Sequence, residues 1–159
     1  DLKNHAKHSG KDMTYTDPKT GEKYVPHVIE PTFGLSRIVG AVLFDAYAHE
    51  TVYEKERVVL KLSPTIAPIR AAIFPLQKDE KLQSKAKEIY ESLKAKFVVE
   101  RDDAGNIGKM YRRQDEIGTP YCVTIDYDTL NDNAVTVRSR DTMQQERVKI
   151  DNVAEYITI

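Results

Sequence analysis

The stretch DDAGNIGKMYRRQDEIGTPYCVTIDYDTL, residues 102–130, decides the fold because it combines a turn, a helix, a second turn and a strand. Asn106 stands where a helix N-cap is expected, and Gly118 stands where the same helix should end. The residues that follow, PYCVTIDYD, alternate apolar and polar side chains with the period of two that is typical of a strand. A short helix that leads directly into a strand predicts an α/β unit.

The segments on either side of this stretch extend the pattern into a sheet covered by helices. Upstream, the sequence predicts the buried strand IRAAIFPL, a helix over residues 80–96 and the strand FVVERDD. Downstream, it predicts the strands AVTVRSRD and ERVKID and a terminal helix. This order, β-α-β-α-β-β-β-α with short loops between the later strands, predicts an α/β fold with a mixed five-stranded sheet and about three helices.

The segment SPTIAP, residues 63–68, is a natural boundary because it carries two prolines in six residues. We therefore expect two parts, residues 1–63 and 64–159. In the first part, the turn former DPKTGE predicts a hairpin between Tyr15-Thr16 and Lys23-Tyr24.

The rest of the first part is predicted to contain two strands and a helix. A strand over residues 24–30 should end at Pro31, and RVVLKL should form a second strand. Between them, apolar residues at helical spacing follow Gly34, with Ser36 as the expected N-cap. Their number predicts that this helix is largely buried.

Composition is that of a globular chain, with 40% hydrophobic and 31% charged residues among 159. The sequence contains no run of about 18 apolar residues and no signal peptide, so we expect no membrane association. The single cysteine, Cys122, excludes an internal disulfide and is typical of a reducing compartment. The net charge of −1 provides no overall attraction to nucleic acid, so RNA binding would need local patches.

The chain ends and the histidines add two minor expectations. The chain begins with Asp1 rather than Met, and its last apolar periodicity stops after about two helical turns, so we expect a piece of a longer protein. His5 and His8 are three residues apart, but the sequence shows no carboxylate or thiol partner for them. No metal site is predicted.

Polar side chains share one face of the two strands that follow the central helix. If Val123 and Val137 face inward, the alternation places Thr124, Asp126 and Asp128 on the outer face of one strand, and Thr136, Arg138 and Arg140 on the outer face of the next. The first interpretation is cross-strand ion pairing, with the aspartates diagonal to Arg138. The second is a polar surface that offers acceptors and guanidinium groups to unpaired bases. The residues alone leave both open.

A second unusual stretch is VPHVIEPTFGLSR, residues 25–37. It holds one acid, Glu30, and one base, Arg37, among residues that otherwise suggest a core. The two charges either pair with each other or form two halves of a ligand site.

Both stretches resemble parts of one enzyme family. PHVIEPTFGLSR resembles motif 3 of class II aminoacyl-tRNA synthetases, and its Ile-Glu-Pro before Gly-x-x-Arg is similar to that of the dimeric glycyl-tRNA synthetases. Residues 102–130, with APIRAAIFPL and VTVRSRDTMQQERVKI, resemble the anticodon-binding domain of the same enzymes. The resemblance implies that residues 1–63 are part of an antiparallel class II catalytic domain, and that residues 64–159 are the anticodon-binding domain.

The resemblance also implies roles for individual residues. Glu30 matches the ligand of the glycine ammonium group, and Arg37 matches the motif 3 arginine that holds ATP; these two are the catalytic candidates. A carboxylate suits the ammonium of an amino acid that has no side chain, and a planar guanidinium suits phosphate and adenine. Thr32 falls where the family usually has Ser beside the glycine α-carbon. The implied sets are glycine binding by Glu30, Thr32 and Gly34; ATP binding by Gly34, Leu35, Ser36 and Arg37; and anticodon binding by Arg112, Asp126, Asp128, Arg138 and Arg140.

The implied function is that of a glycine–tRNA ligase, a cytoplasmic homodimer that activates glycine with ATP and Mg²⁺ and then charges glycine tRNA. ATP and Mg²⁺ enter as a substrate complex, and no tightly bound cofactor is implied. Motifs 1 and 2 of the family have no counterpart in this sequence, so we expect this chain alone to be inactive.

Two alternatives remain. The chain could be a non-catalytic tRNA- or RNA-binding module or accessory subunit derived from a class II synthetase, although such a module has no need of the Glu-Pro-Thr-Phe-Gly-x-x-Arg segment. It could also belong to a synthetase of the same group that is specific for another amino acid. Adenylate formation with each candidate amino acid would discriminate the second alternative.

Overall fold

The computed structural model describes residues 1–52 and 54–158, which divide into two compact units. The first unit is Asp1–Ile38 and the second is Val39–Ile159. The predicted functional boundary at residues 63/64 lies inside the second unit and stays a prediction. None of the helices in the described ranges is long and apolar enough to cross a membrane.

The first unit contains a helix, α1 (Leu2–Ser9), and a hairpin of β1 (Tyr15–Thr16) and β2 (Lys23–Tyr24). The hairpin confirms the prediction from DPKTGE, and Tyr15 pairs with Tyr24 across it. The sequence analysis did not predict α1, because this helix buries no residue and so lacks an apolar stripe.

The strand predicted over residues 24–30 is wrong beyond Tyr24. Residues 25–30 form neither helix nor strand and have no partner strand in the described part of the molecule. Pro26 and Pro31 bracket the segment, and proline has no N–H to donate to a ladder. Apolar composition alone therefore misled the prediction.

The predicted apolar helix is present as α2 (Leu35–Ala46), and it crosses the division between the two units. It begins at Leu35, so Gly34 rather than Ser36 is the residue before it. The expectation that α2 is largely buried is wrong for this chain. Ala46 is its only buried residue in the described ranges, and Phe44 is 87% exposed.

The second unit opens with the antiparallel β3–β4 hairpin, formed by β3 (Tyr47–Val52) and β4 (Lys55–Leu60). Only β4 was predicted, from RVVLKL. β3 follows α2 without a turn residue between them, so the sequence gives no signal at the point where the helix ends.

The rest of the second unit confirms the mixed five-stranded sheet, in the order β6-β5-β7-β8-β9. The middle strand of the parallel part, β5, pairs with β6 and β7, and β8 and β9 continue the sheet antiparallel. The strands are β5 (Ala71–Pro75), β6 (Val99–Arg101), β7 (Tyr121–Ile125), β8 (Ala134–Ser139) and β9 (Gln145–Lys149). The helices are α3 (Glu80–Lys94), α4 (Ile107–Ile117), the short α5 (Thr129–Asp132) and α6 (Val153–Tyr156) after a 3₁₀ turn (Ile150–Asn152).

Helices cover both faces of this sheet. On one face α3 and α6 bury the main core, whose members include Ile73, Leu82, Ile89, Val123, Val135 and Val153. On the other face α4 packs Met110 against Ala72, Phe74 and Cys122. The face that carries the polar residues of β7 and β8 is therefore partly covered by α4.

The ends of α4 are formed as the sequence predicts. The Asn106 side chain accepts a hydrogen bond from the Lys109 N–H at 3.0 Å, and Gly118 adopts a left-handed φ of 85°. A Cβ at Gly118 would lie 2.9 Å from the Leu60 carbonyl oxygen. Gly118 therefore ends α4 and also permits the close approach of β4.

Candidate nucleic-acid interface

The residues predicted to bind glycine and ATP all lie in the first unit and are exposed. The Thr32 hydroxyl donates a hydrogen bond to Glu30 Oε1 at 3.4 Å, and Glu30 borders a cavity of about 390 Å³ beside His5. No ion pair joins Glu30 to Arg37 within residues 1–52, so the pairing of these two charges is not observed. Both charges are accessible to a ligand.

Arg138 lies on the predicted face of β8, but that face is closed at this point. Cys122 pairs with Arg138 in the register of β7 and β8. The Arg138 guanidinium donates to both oxygens of Asp115 on α4, at 2.9 and 3.0 Å, and lies 4.7 Å from the centre of the Tyr111 ring. Arg138 is 4% exposed. The prediction that it faces Asp126 or Asp128 across an open sheet surface is therefore wrong.

Arg140 is also buried, with 2% of its surface exposed. Its guanidinium donates to the carbonyl oxygens of Gly118 at 2.8 Å and Leu62 at 2.7 Å, and to the carboxylate of Asp141 at 2.8 Å. Alternation along β8 predicted an outward side chain, but the strand ends at Ser139 and Arg140 belongs to the following turn. Arg140 holds backbone together rather than offering its donors to solvent.

The two predicted aspartates have different surroundings. Asp126 is partly buried and accepts hydrogen bonds from Arg147 at 2.6 and 3.1 Å and from Thr129. Burial raises the pKa of Asp126. The hydrogen bonds from Arg147 and Thr129 lower this pKa by more than burial raises it, so the pKa of Asp126 lies below its usual range. Asp128 is exposed and caps no helix through its side chain. Asp126 is therefore an ionised acceptor near neutral pH.

Arg112 is the exposed arginine of the predicted set. It points away from the sheet on α4 and pairs with Glu116 one helical turn later, at 3.0 Å. Surface pairs of this type contribute only about 0.3–0.5 kcal/mol. A ligand with a phosphate can therefore compete for Arg112 at little cost.

The sequence analysis missed a buried ion cluster centred on Asp115, which is 4% exposed. Arg57 of β4 donates to Asp115 and to the Arg140 carbonyl oxygen, each at 3.1 Å, and also pairs with Glu50 of β3. Burial lowers the pKa of Arg138. Its hydrogen bonds to Asp115 raise this pKa by more than burial lowers it, so Arg138 stays charged. One signal was available, since Asp115 lies one helical turn after Tyr111 on the same face of α4.

Two adjoining cavities border α4. The hairpin cavity, of about 630 Å³, lies between the β3–β4 hairpin, α4, β8 and the turn after β8. The sheet cavity, of about 220 Å³, is bordered by Tyr111, Thr124, Asp126, Thr136 and Gln145. Tyr111 and Gln145 border both, so the two cavities form one groove, which we call the α4 groove.

Tyr111 is held rigidly in this groove. Its hydroxyl lies 2.7 Å from Thr124 Oγ1, and its ring meets Phe74 edge to face at 5.6 Å. Burial raises the pKa of Tyr111, so the hydroxyl stays protonated. The α4 groove thus combines a fixed aromatic ring, an ionised carboxylate, hydroxyl groups and guanidinium groups, the chemistry with which proteins hold unpaired bases.

The profile of one protein family, described as the anticodon binding domain, matches residues 70–158. The chain belongs to the anticodon binding domain family. The match contains the whole five-stranded sheet, α3 and α4, and therefore most of the α4 groove. The β3–β4 hairpin lies outside it, although its residues form one wall of the hairpin cavity.

Curated relatives extend the similarity over the whole chain. The glycine–tRNA ligase of Caldanaerobacter subterraneus subsp. tengcongensis is 57% identical over 157 residues, and those of Alkaliphilus metalliredigens and Clostridium acetobutylicum are each 55% identical over 158. Each alignment covers 99% of this chain and 34% of the relative, so the chain spans about a third of the length of these relatives. The chain is homologous to that part of a glycine–tRNA ligase.

One solved structure is similar to this chain over more than half of its length. The RNA binding domain of threonyl-tRNA synthetase from Cryptosporidium parvum Iowa II aligns with a TM-score of 0.56 and 28% identity. The alignment covers 62% of this chain and 25% of the other.

Proposed function

We propose that the chain is the anticodon-reading part of a glycine–tRNA ligase, together with one wall of its catalytic site. The observation that carries the proposal is identity of 57% with a glycine–tRNA ligase over 99% of the chain. The aligned region includes the segment with Glu30 and Arg37 as well as the α4 groove. It supports a shared activity better than a match confined to the RNA-binding fold would.

At the catalytic wall, Glu30 binds the ammonium group of glycine, and Thr32 and Gly34 shape the space around its α-carbon. Glycine has no side chain to recognise, so its ammonium group, its carboxylate and the exclusion of larger residues must provide specificity. Arg37, with the backbone of Leu35 and Ser36, binds ATP, which brings Mg²⁺ with its phosphates. The exposure of Glu30 and Arg37 supports these roles.

At the RNA-binding wall, the buried positions of Arg138 and Arg140 change the proposed roles within the predicted set. Arg112, Asp126 and Asp128 are the direct contacts to anticodon bases or phosphates. Arg138 positions Tyr111 from behind the groove, and Arg140 holds the turn after β8. Unpaired bases stack on the fixed ring of Tyr111 and are read by carboxylate and hydroxyl groups in the sheet cavity.

The assembly proposed with this function is a homodimer in the cytoplasm, with glycine, ATP and glycine tRNA as substrates. The reaction forms glycyl-adenylate and pyrophosphate from glycine and ATP, and then transfers glycine to the terminal adenosine of the tRNA with release of AMP.

Glycine-dependent exchange of pyrophosphate into ATP by the full-length ligase tests the catalytic part. Glu30→Gln keeps the shape of the side chain but removes the charge that meets the ammonium group. We expect Glu30→Gln to lose roughly 2–4 kcal/mol of transition-state stabilisation, measured as a lower kcat/KM for glycine. The KM for ATP should change little. The matched control is Glu22→Gln in the exposed hairpin turn. Normal glycine activation by Glu30→Gln would contradict the assignment.

A further inference from the structure

The hairpin cavity has a wall that the anticodon binding domain match does not include. About a third of its border comes from the β3–β4 hairpin, whereas the family match begins at residue 70. Its volume of about 630 Å³ is in the range of pockets that hold a small organic ligand.

The charges around the cavity favour an anion, because cations outnumber acids there. The cavity is lined by four cationic side chains and two carboxylates, namely Lys55, Arg57, Arg112 and Arg138 with Glu56 and Asp115. Asp115 is already occupied by two guanidinium groups, from Arg57 and Arg138, and so has little capacity to bind a cationic ligand. At the rim, Lys55 is exposed and forms no ion pair in the described part of the chain. Arg112 is released from its surface pair at little cost. An anionic group at the rim therefore meets two accessible cations.

The floor of the cavity favours a flat, partly apolar group. Tyr111 is fixed by Thr124 and Phe74, and the Arg138 guanidinium lies over its ring, 4.7 Å from the ring centre. Met143 adds a polarisable thioether surface that adapts to aromatic ligands. A base fits such a floor without a need for sequence-specific contacts.

Both turns at the rim hold residues in the left-handed region that are neither glycine nor asparagine. Glu54, in the turn of the β3–β4 hairpin, has φ of 62°, and Met143, in the turn after β8, has φ of 58°. Such conformations persist where the surroundings impose them, and they concentrate at ligand sites. Here Met143 lines the hairpin cavity, and Glu54 is the residue before Lys55, which also lines it.

We propose that the hairpin cavity binds one unpaired nucleotide of the tRNA, next to the anticodon bases held in the sheet cavity. Its base lies against Tyr111 and Met143, and its phosphate meets Lys55 and Arg112. The β3–β4 hairpin is thus part of the RNA-binding surface. This inference rests on the proposed function, because it takes the adjoining sheet cavity as an anticodon site.

The test measures binding of the 159-residue chain to a fluorescently labelled anticodon stem-loop of glycine tRNA, with Lys55→Gln as the variant. The matched control is Lys96→Gln, an exposed lysine beyond the end of α3 and therefore on the side of the sheet opposite α4. We expect Lys55→Gln to weaken binding about fivefold at low salt and to reduce the slope of log K against log salt by about 0.7, the value for one single-strand phosphate. Lys96→Gln should change neither quantity.

A second series locates the nucleotide. Single abasic substitutions are placed at each loop position of the stem-loop. An abasic substitution at one position outside the anticodon triplet should weaken binding to the wild-type chain. With that stem-loop, Lys55→Gln should weaken binding by less than it does with the intact stem-loop, because both changes affect the same contact.

The outcomes separate this inference from the function on which it rests. If the wild-type chain prefers the glycine stem-loop over one with a swapped anticodon, but Lys55→Gln and Lys96→Gln bind equally, the hairpin cavity is not a nucleotide site. If the wild-type chain shows no preference between the two stem-loops, the proposed function fails and the inference fails with it.

Discussion

Replacing Asp115 by Asn tests whether the buried ion cluster stabilises the fold of residues 39–159. Asp115 accepts three guanidinium hydrogen bonds of 2.9, 3.0 and 3.1 Å, two from Arg138 and one from Arg57. The side chains of Asp115 and Arg138 are each 5% exposed, so water has little access to replace a lost bond. The substitution removes the negative charge and leaves the guanidinium groups in place.

The expected loss of stability depends on which partners each arginine keeps after the substitution. Arg57 retains Glu50 and the Arg140 carbonyl oxygen, whereas Asp115 is the acid that Arg138 contacts in the described part of the chain. Removal of one partner of a buried ion pair costs about 3–5 kcal/mol. The Asn carbonyl still accepts one hydrogen bond, so we expect a loss near the lower end, about 3 kcal/mol in the free energy of unfolding.

Urea unfolding of the chain, followed by far-ultraviolet circular dichroism at pH 7, measures this loss. With a urea dependence of about 1–3 kcal/mol per molar, the midpoint should fall by at least about 1 M. The matched control is Glu116→Gln on the same helix, which removes an exposed surface pair and should cost less than about 0.5 kcal/mol.

The double variant Asp115→Asn/Arg138→Gln checks the mechanism. It removes both charges of the central pair, so its loss should be smaller than the sum of the two single losses. The reasoning is refuted if Asp115→Asn lies within about 1 kcal/mol of the wild type, or if the two single losses simply add.

Three further predictions concern the same unit. Arg140→Ala should lower the free energy of unfolding by about 2–4 kcal/mol, because it leaves two buried carbonyl groups without a donor. Under conditions where the variant is folded, its RNA affinity should be unchanged. A selective loss of RNA affinity would restore Arg140 as a base contact. Gly118→Ala should destabilise the chain by roughly 2–4 kcal/mol, since it adds a clash with the Leu60 carbonyl to the strain of a left-handed φ. Gly105→Ala, with φ of 92° and only ordinary contact with the Lys109 side chain, should cost about 1–2 kcal/mol. Equal losses in thermal unfolding would exclude the clash. The folded pKa of Asp126 lies below its ordinary value of 3.8, so its contribution to stability is present above about pH 5 and is lost as the pH falls through the lower folded pKa. Unfolding measured from pH 6 to pH 2.5 should therefore show a smaller acid loss for Asp126→Asn than for the wild type, and parallel curves would contradict the assignment.

The sheet and α4 could be predicted from the sequence because their signals are local. Asn106 and Gly118 mark the two ends of α4, and period-two alternation marks β7 and β8. Each of these features depends on residues a few positions apart. The order of elements then restricts the topology to very few arrangements.

The surroundings of the polar residues could not be predicted in the same way. Alternation places Arg138 on a face but does not show that α4 covers that face, and its partner Asp115 is 23 residues away. Likewise, the apolar stripe of α2 predicted burial, yet only Ala46 is buried in this chain. Periodicity shows which side of an element is apolar, but the packing of distant segments determines what covers it.

Binding of the 159-residue chain to stem-loop RNA tests the central claim most directly. Two labelled stem-loops are compared at low salt, one with a glycine anticodon and one that differs only in its anticodon bases. The account predicts at least about tenfold tighter binding of the glycine stem-loop, from roughly 1–3 kcal/mol for each base read by the groove. Equal affinity for the two stem-loops, or no binding to either, would contradict it.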